Sequence, residues 1–417
     1  MSHVTLTVPA GDAATNATIQ AAVDDLSQRG GGTVIVPAGV YTMHDALHLR
    51  DGVTVVGDGD VTLRKAPSVS SPIADFIGYG HYEFTVSDPD KFRVGMGIHL
   101  TDEGARGFYE TVATIVGREG DLFFIDRMLN HDYHPSRHAV ASTIYPIVDA
   151  YHARDAGLRH VRLDGNPAET RHLGGCRGGG VFLLGCHHME LQAVEIVNYR
   201  GDALSFQQCT DVWVTDCHLH DNVGGGLHPG SGSVRYILRG NHIHDNGGDG
   251  IFYCLRTTHS ICEDNRIERN GGAGISIGER DTHHWIRRNT IRANGGPGIS
   301  FREPNVRSGD DVLVEANTIA DNAGGAIDVP SGLTRIHATG NTITSGGQPA
   351  LRVGDGCAAI HFTANTVDGR PQAPGDVTGP ASFDAPVGLP AVGPAAAPLD
   401  SIRHLHRPPL APWQDAP

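Results

Sequence analysis

Short apolar stretches recur along most of the chain at an almost constant spacing. One series of apolar residues advances by 24, 24, 28 and 24 positions; its members are Ile251, Ile275, Ile299, Ile327 and Leu351. Apolar and polar residues alternate around each member, as expected of a strand with one buried side. Such a period predicts a solenoid in which each coil, one repeat of the chain, forms about three short strands.

Two series of asparagines follow the same period and absorb the same four-residue insertion. They are Asn241, Asn265, Asn289, Asn317, Asn341 and Asn365, and then Asn222, Asn246, Asn270, Asn294 and Asn322. Parallel pairing of coils about 4.8 Å apart would place each asparagine over its counterpart, where the amides can hydrogen-bond along the stack. The ladders predict an all-β fold, a right-handed single-stranded parallel β-helix, in which the asparagines are structural.

The segments outside the repeats have other patterns. Ile19, Val23 and Leu26 share one face of a predicted helix in residues 18–27, which would cap the first coil. We expect residues 1–81 to form the cap and first coils, 82–145 a small β insertion, and 146–370 the repeats. Residues 371–417 are rich in proline and alanine, which predicts an extended or disordered tail.

Composition argues against several classes of protein. A net charge of -15 without a run of Lys and Arg disfavours nucleic-acid binding. No segment is apolar enough for a membrane span and the N-terminus lacks a signal-peptide pattern, so we expect no membrane partner and, by default, a cytoplasmic location. The seven cysteines lack paired spacing, which argues against a zinc site.

Two stretches near the N-terminus carry a family resemblance. IQAAVDDLSQRGGGTVIVPAGVY (residues 19–41) and LHLRDGVTVVGDG (47–59) resemble the cap and first coils of the pectin-lyase-like superfamily. That superfamily includes polygalacturonases, pectate lyases, alginate epimerases and phage tailspikes. The resemblance implies the β-helix fold over most of residues 1–367 and leaves the activity open.

Two further stretches narrow the resemblance. HPGSGS (228–233) and GISIGERDT (274–282) are similar to a group of bacterial β-helix-repeat proteins. GLHP (226–229) resembles the GFDPH motif of alginate epimerases. Here His228 stands where that motif has Asp, and Gly230 where it has the catalytic His, which argues against an epimerase assignment.

When coils stack, residues one repeat apart in sequence become neighbours on the surface. Several charged residues are expected to come together in this way. The outward column through Ser276 is expected to contain His228, Phe252, Ser276, Ser300, Asp328 and Arg352. Just past these strands, Glu279 would stack with Glu303, Arg256 with Arg280, and His259 with His283. Neighbouring carboxylates differ in pKa and can serve as acid and base, while arginines can bind a carboxylate or sulfate.

These positions define a candidate site. Its expected catalytic residues are Asp249, Glu279, Asp281, Glu303 and His228. Its expected substrate-binding residues are Arg256, Arg280, Arg302, His259, His283, Phe252 and Asp328. Other histidines, such as His187, His188 and His242, are interpreted as surface or structural residues. The alternative is that the charged cluster is only a solvated, ion-paired surface.

Three functions fit this pattern. The leading hypothesis is an enzyme acting on a poly- or oligosaccharide, a glycoside hydrolase with paired carboxylates. The second is a polysaccharide lyase or uronate C5-epimerase; because Lys65 and Lys91 are remote from the cluster, its base would be His or Arg, with Ca²⁺ an option held by the acids. The third is a non-catalytic glycan-binding or structural β-helix. We expect a carbohydrate partner and no required cofactor, and the sequence leaves any metal undetermined.

Overall fold

The alternating apolar residues of each coil point inward and line a solenoid with three parallel faces. The computed structural model describes residues 4–10, 16–166, 168, 171–303, 309–386 and 392–393. Faces 1 and 2 form one 22-stranded sheet, since the long strands Gly32–Met43 and Val53–Lys65 run from one face to the other. Face 3 is a separate sheet of 11 strands.

The strands follow the same order in successive coils. Besides the two long strands, face 1 contains Thr5–Thr7, Arg154–Arg159, His187–Gln192, Thr210–Thr215, Val234–Arg239, Ile261–Glu263, Trp285–Arg287, Val312–Glu315, Thr334–Thr339 and Ala358–Thr363. Face 2 contains Arg162–Asp164, Glu195–Val197, His218–His220, His242–His244, Arg266–Glu268, Thr290–Arg292, Thr318–Ala320, Thr342–Thr344, Thr366–Val367 and the antiparallel Arg370–Pro371. Face 3 contains Leu47–His48, Val148–Tyr151, Val181–Leu184, Leu204–Gln207, Leu227–Gly230, Ile251–Phe252, Ile275–Ile277, Ile299–Phe301, Ile327–Val329, Leu351–Val353 and Val377–Thr378.

The predicted register is confirmed. Ile275 pairs with Ile251 on one side and Ile299 on the other. In the first asparagine ladder, the backbone N–H and side-chain amide of Asn265 both donate to Oδ1 of Asn289, at 3.0 and 2.9 Å. The buried amides therefore satisfy one another from coil to coil, which fixes one coil directly above the next.

The expected capping helix is confirmed at Asn16–Gln28. Ile19, Val23 and Leu26 are fully buried against the first coil. The side-chain amide of Gln20 donates to the backbone oxygen of His48 and accepts from its N–H, at 3.0 and 2.8 Å. These two bonds satisfy backbone groups at the open edge of face 3.

An insertion with its own hydrophobic core interrupts the early coils. Its antiparallel sheet contains Ser70–Pro72, Glu83–Thr85, Gly97–Thr101, Thr111–Glu119, Leu122–Ile125 and Val140–Ser142. The sequence interpretation began this insertion at residue 82, whereas its first strand starts at Ser70. That strand is polar, so no alternation of apolar and polar residues predicts it from the sequence. It is defined by its pairing with Val140–Ser142.

Short helical turns and part of the tail complete the described chain. The 3₁₀ helices are Pro89–Lys91, Gly107–Tyr109, Pro135–Arg137 and Pro374–Asp376. The start of the predicted tail adds Val377–Thr378 to face 3, but residues 387–391 and 394–417 lie outside the described residues. Within the described ranges, no helix has the length and apolar character needed to span a bilayer.

Candidate functional site

The outward column of face 3 is as the sequence predicts. Phe252 pairs with Ser276, Ser276 with Ser300, and Ser300 with Asp328. The ring of His228 packs edge-on against Phe252, with centroids 5.0 Å apart. Residues from adjacent coils, at least 20 positions apart in sequence, thus share one surface.

Arg302 folds back over this surface toward the preceding coils. Its guanidinium donates to Oγ of Ser276 at 2.7 Å and to the backbone oxygens of Tyr253 and Cys254 at 2.6 and 3.0 Å. It also stacks over the Phe252 ring, 4.1 Å from the centroid. Burial lowers the pKa of Arg302, although nearby acids offset part of that effect. The guanidinium of Arg302 is therefore a positive charge in a fixed position in the middle of the column.

Asp249 is a half-buried carboxyl group at the edge of the column. Its Oδ1 accepts the backbone N–H of Ala273 at 2.6 Å, and Ser276 provides a side-chain hydrogen bond. Burial raises the pKa of Asp249, and the Ala273 bond and the Arg302 charge offset this only in part. Such an environment suits a group that donates a proton.

Asp281 has a different environment. It is fully buried, and its carboxylate accepts the backbone N–H groups of Thr257 and Gly278, at 2.8 and 2.7 Å, and the Thr257 hydroxyl at 2.9 Å. Burial raises its pKa in spite of these bonds. The expected catalytic role does not fit these contacts, because Asp281 has no exposed surface to present to a polymer; its contacts are those of a turn-stabilising residue.

The outer turn residues are exposed or partly exposed, and some of them form ion pairs. Glu279 forms an ion pair with Arg280 at 2.7 Å, and Arg256 donates its backbone N–H to the Glu279 backbone oxygen. Because Ile277 pairs with Phe301, Glu279 and Glu303 each lie two residues past adjacent strands, on the same side of the solenoid. Glu303 is exposed and is the last described residue before 304–308.

The remaining predicted binding residues divide into two groups. The rings of His259 and His283 stack with centroids 4.5 Å apart, and their charged neighbours are Arg235 and Asp311. Burial, the His283 neighbour and Arg235 lower the pKa of His259 to about 4, so it is neutral near pH 7. Asp328 pairs with Arg352 at 3.3 Å, farther along the column.

His228 is held by a residue that sequence reasoning missed. Its Nδ1 lies 2.7 Å from Oδ2 of Asp202, whose Oδ1 accepts the N–H of Gly225 at 2.6 Å. Burial would raise the pKa of Asp202, but His228 and the Gly225 bond keep it below its ordinary value. Asp202 could have been found because it precedes the Leu204–Gln207 strand of face 3 much as Asp249 precedes Ile251–Phe252.

A cavity between the insertion and the solenoid was also missed. It measures about 490 Å³ and is lined by charged and polar groups from both parts, including His99, Glu110, Arg106, Arg171 and His172. His99 Nε2 and Glu110 Oε2 lie 3.8 Å apart, buried and without a hydrogen-bond partner among the described residues. No repeat pattern covers residues 99–110, so periodicity could not reveal this cavity.

Three groups of described side chains have atoms close enough to hold a metal ion. One consists of Cys176, His228 and Cys254. The other two lie on face 2 and draw on Glu195 and a surface histidine cluster formed by His218, His220, His242 and His244. All three groups contain nitrogen or sulfur ligands, which suit transition metals better than Ca²⁺.

Comparisons with known proteins agree with this architecture. A family model described as "Right handed beta helix region" matches residues 169–302 and 281–367. No curated protein sequence matches the chain significantly. Among solved structures, the chain is similar to the A-module of Azotobacter vinelandii mannuronan C-5 epimerase AlgE4, at 18% identity and a TM-score of 0.56, covering 89% of this chain and 96% of that one.

Two other solved structures show the same kind of likeness. The AlgE6 A-module from Azotobacter vinelandii is 17% identical with a TM-score of 0.52, covering 86% of this chain and 95% of that one. ORF18 of Geobacillus virus E2 is 10% identical with a TM-score of 0.50, covering 85% and 58%. At these identities the likeness concerns the fold. The chain is therefore a right-handed parallel β-helix protein.

Proposed function

We propose that this protein is a carbohydrate-active enzyme that hydrolyses a glycosidic bond in an acidic poly- or oligosaccharide, with Asp249 as general acid. The observation that carries the proposal is the environment of Asp249. Its half-buried carboxyl group has a raised pKa and interacts electrostatically with the Arg302 guanidinium, which stacks over the outward Phe252 ring. A general acid must hold its proton near the working pH until the glycosidic oxygen takes it.

The surroundings of Asp249 support an extended, negatively charged substrate. Face 3 offers a row of stacked outward residues along the solenoid axis, and such faces suit polymers. Arg106 and Arg171 line the adjacent cavity, whose volume of about 490 Å³ is in the range of small-molecule sites. Asp202 links the two areas, since it interacts electrostatically with His172 of the cavity and with Asp249.

The carboxylate that completes the reaction is proposed to be Glu279. It is partly exposed, lies past the strand that pairs with Phe252, and forms an ion pair with Arg280 at 2.7 Å. A second carboxylate can activate water or attack the sugar directly. Glu303, one coil farther along, would bind the substrate or exclude competing water.

A turnover screen against a glycan library tests the proposal, read both for new reducing ends and for unsaturated products. We expect reducing ends from an acidic glycan, and a loss of about 100-fold or more in kcat for Asp249→Asn, as for removal of a general acid. Asp245→Asn is the matched control, because Asp245 belongs to the same coil but pairs with Arg269 on the other side of the solenoid. Full turnover by Asp249→Asn would contradict the assignment, and binding without turnover by the unmodified protein would indicate a glycan-binding module.

A polysaccharide lyase or C5-epimerase is the second candidate. It is supported by the likeness to proteins named as mannuronan C-5 epimerases and by the arginines of the cavity, which could neutralise a uronate carboxylate. Lyase products absorb ultraviolet light. Epimerisation in heavy water introduces deuterium at C5, and hydrolysis does neither.

A further inference from the structure

Cys176, His228 and Cys254 come from three separate segments of the chain and meet beside face 3. One ligand atom from each lies within 4.8 Å of the other two. His228 belongs to the strand Leu227–Gly230, and Cys254 follows the next strand of the same face. Cys176 belongs to the loop of residues 171–178, which lies across the outward side of these strands.

Hydrogen bonds and a glycine hold that loop in place. The backbone oxygen of Gly175 accepts the Ser205 hydroxyl at 2.6 Å. A Cβ at residue 175 would lie only 1.9 Å from Oδ2 of Asp202 and 2.3 Å from Nδ1 of His228, so only glycine allows this approach. These contacts therefore hold the loop in a position that brings Cys176 close to His228.

The His228 ring has one committed nitrogen and one free nitrogen. Nδ1 lies 2.7 Å from the Asp202 carboxylate, whereas Nε2 is buried and has no hydrogen-bond partner among the described residues. The residue is only 6% exposed. A buried polar atom without a hydrogen-bond partner is destabilising, so a ligand at Nε2 would remove that penalty. A carboxylate that accepts from one ring nitrogen while the other binds a metal is a recurrent arrangement.

We propose that Cys176, Cys254 and His228 bind a Zn²⁺ ion, with Asp202 orienting the histidine. Thiolate and imidazole are preferred zinc ligands, with Zn–S distances of about 2.3 Å and Zn–N distances of about 2.0–2.1 Å. Tetrahedral geometry then places the ligand atoms about 3.4–3.8 Å apart, a small contraction from the present limit of 4.8 Å. Binding releases the two thiol protons to solvent, and the fourth position takes water or another donor.

The ion would fasten the insertion to the solenoid. Arg177, next to Cys176, donates to the backbone oxygen of Phe108 at 3.0 Å, and Phe108 belongs to the insertion. Arg171, His172 and Gly174 of the same loop line the cavity described above. Zinc at this position would thus fix the wall of that cavity.

Cobalt substitution of the reduced, metal-free full chain tests this site. We expect one Co²⁺ per chain, with the thiolate-to-cobalt charge-transfer band and tetrahedral d–d bands, both abolished by one equivalent of Zn²⁺. Cys176→Ser and Cys254→Ser should each remove or weaken the charge-transfer band. Asp202→Asn should weaken zinc affinity by about 10- to 100-fold, as for other partners of ligating histidines.

Two variants serve as controls. Cys357→Ser removes a partly exposed thiol on a later coil, and His242→Gln disrupts the surface histidine cluster. Both should keep the thiolate band, because neither residue belongs to the site. Absence of that band in the unmodified chain, its retention in Cys176→Ser, or its loss only in His242→Gln would overturn the proposal. A Cys176–Cys254 disulfide that, once reduced, takes up no metal would also overturn it.

Discussion

At the residue scale, two aspartate carboxyl groups have different roles because their neighbours differ. Asp249 has one backbone donor and a partly open side, whereas Asp281 accepts three hydrogen bonds inside a closed turn. Both have pKa values raised by burial. Access to solvent, and not pKa, therefore separates the proposed general acid from the structural acid.

Asp281→Asn is expected to lower stability without a specific loss of binding. The amide keeps one acceptor oxygen but directs an NH₂ group toward N–H or O–H donors. A buried donor left unpaired costs about 1–3 kcal/mol, and urea unfolding measures the difference. Asp249→Asn is the matched comparison; an unchanged midpoint for Asp281→Asn would contradict the turn role.

At the element scale, the ends of strands and the pairs between coils decide which segments are held together. His48 ends the first strand of face 3 and lies 2.5 Å from Asp149 of the next coil, while its Nε2 lies 3.5 Å from Asp45. Burial lowers the pKa of His48, but Asp149 and Asp45 outweigh that effect and raise it to about 10. This ion pair ties the capped first coil to the coil that follows the insertion.

Stability is expected to fall as the pH rises from about 6.5 to about 10, the interval between the ordinary and the folded-state pKa of His48. Below that interval His48 is protonated in both states, so its contribution is complete. Above it, the folded chain has lost the charge that Asp149 stabilises. Thermal unfolding across this range should show a slope that His48→Gln reduces.

The half-exposed His188 provides the comparison for that measurement. His188→Gln should preserve the slope, because this residue lies on the outer side of face 1, away from the first coil. An equal slope in His48→Gln and the unmodified protein would show that the His48–Asp149 pair contributes nothing over this range.

At the scale of the whole molecule, a solenoid has two open ends whose unpaired strands could join other chains. The helix Asn16–Gln28 covers the first end and buries Ile19, Val23 and Leu26. The insertion is packed separately around its own core, and it meets the coils near the proposed site. The capping helix therefore protects the first end of the solenoid, whereas the insertion contributes to the geometry of the proposed site.

Val23→Asp is expected to destabilise the capped end by about 3–5 kcal/mol, the cost of an unpaired buried charge. Exposure of the first strands should also cause association, which light scattering detects at the same concentration. Ala21→Asp is the matched control, because Ala21 lies on the exposed side of the same helix. Equal behaviour of the two variants would contradict the capping role.

The sequence by itself determined the repeating part of this protein. Parallel coils bring residues one repeat apart into contact. This one rule explains the period of the sequence, the parallel direction of the strands, and the contacts of Asn265 and Ile275. The outward column from His228 to Arg352 follows from the same rule. Residues inside the repeats were predictable because their partners lie at a fixed interval.

Only the tertiary structure decided what non-repeating segments bring to that surface. The insertion places His99 and Glu110 beside the coils, and the loop of residues 171–178 delivers Cys176 to His228. The cysteines lack paired spacing, and this argued against zinc because paired spacing identifies only ligands that are close in sequence. The candidate ligands found in the structure are at least 26 residues apart. Loop closure over such distances depends on long-range packing, which carries no periodic signal in the chain.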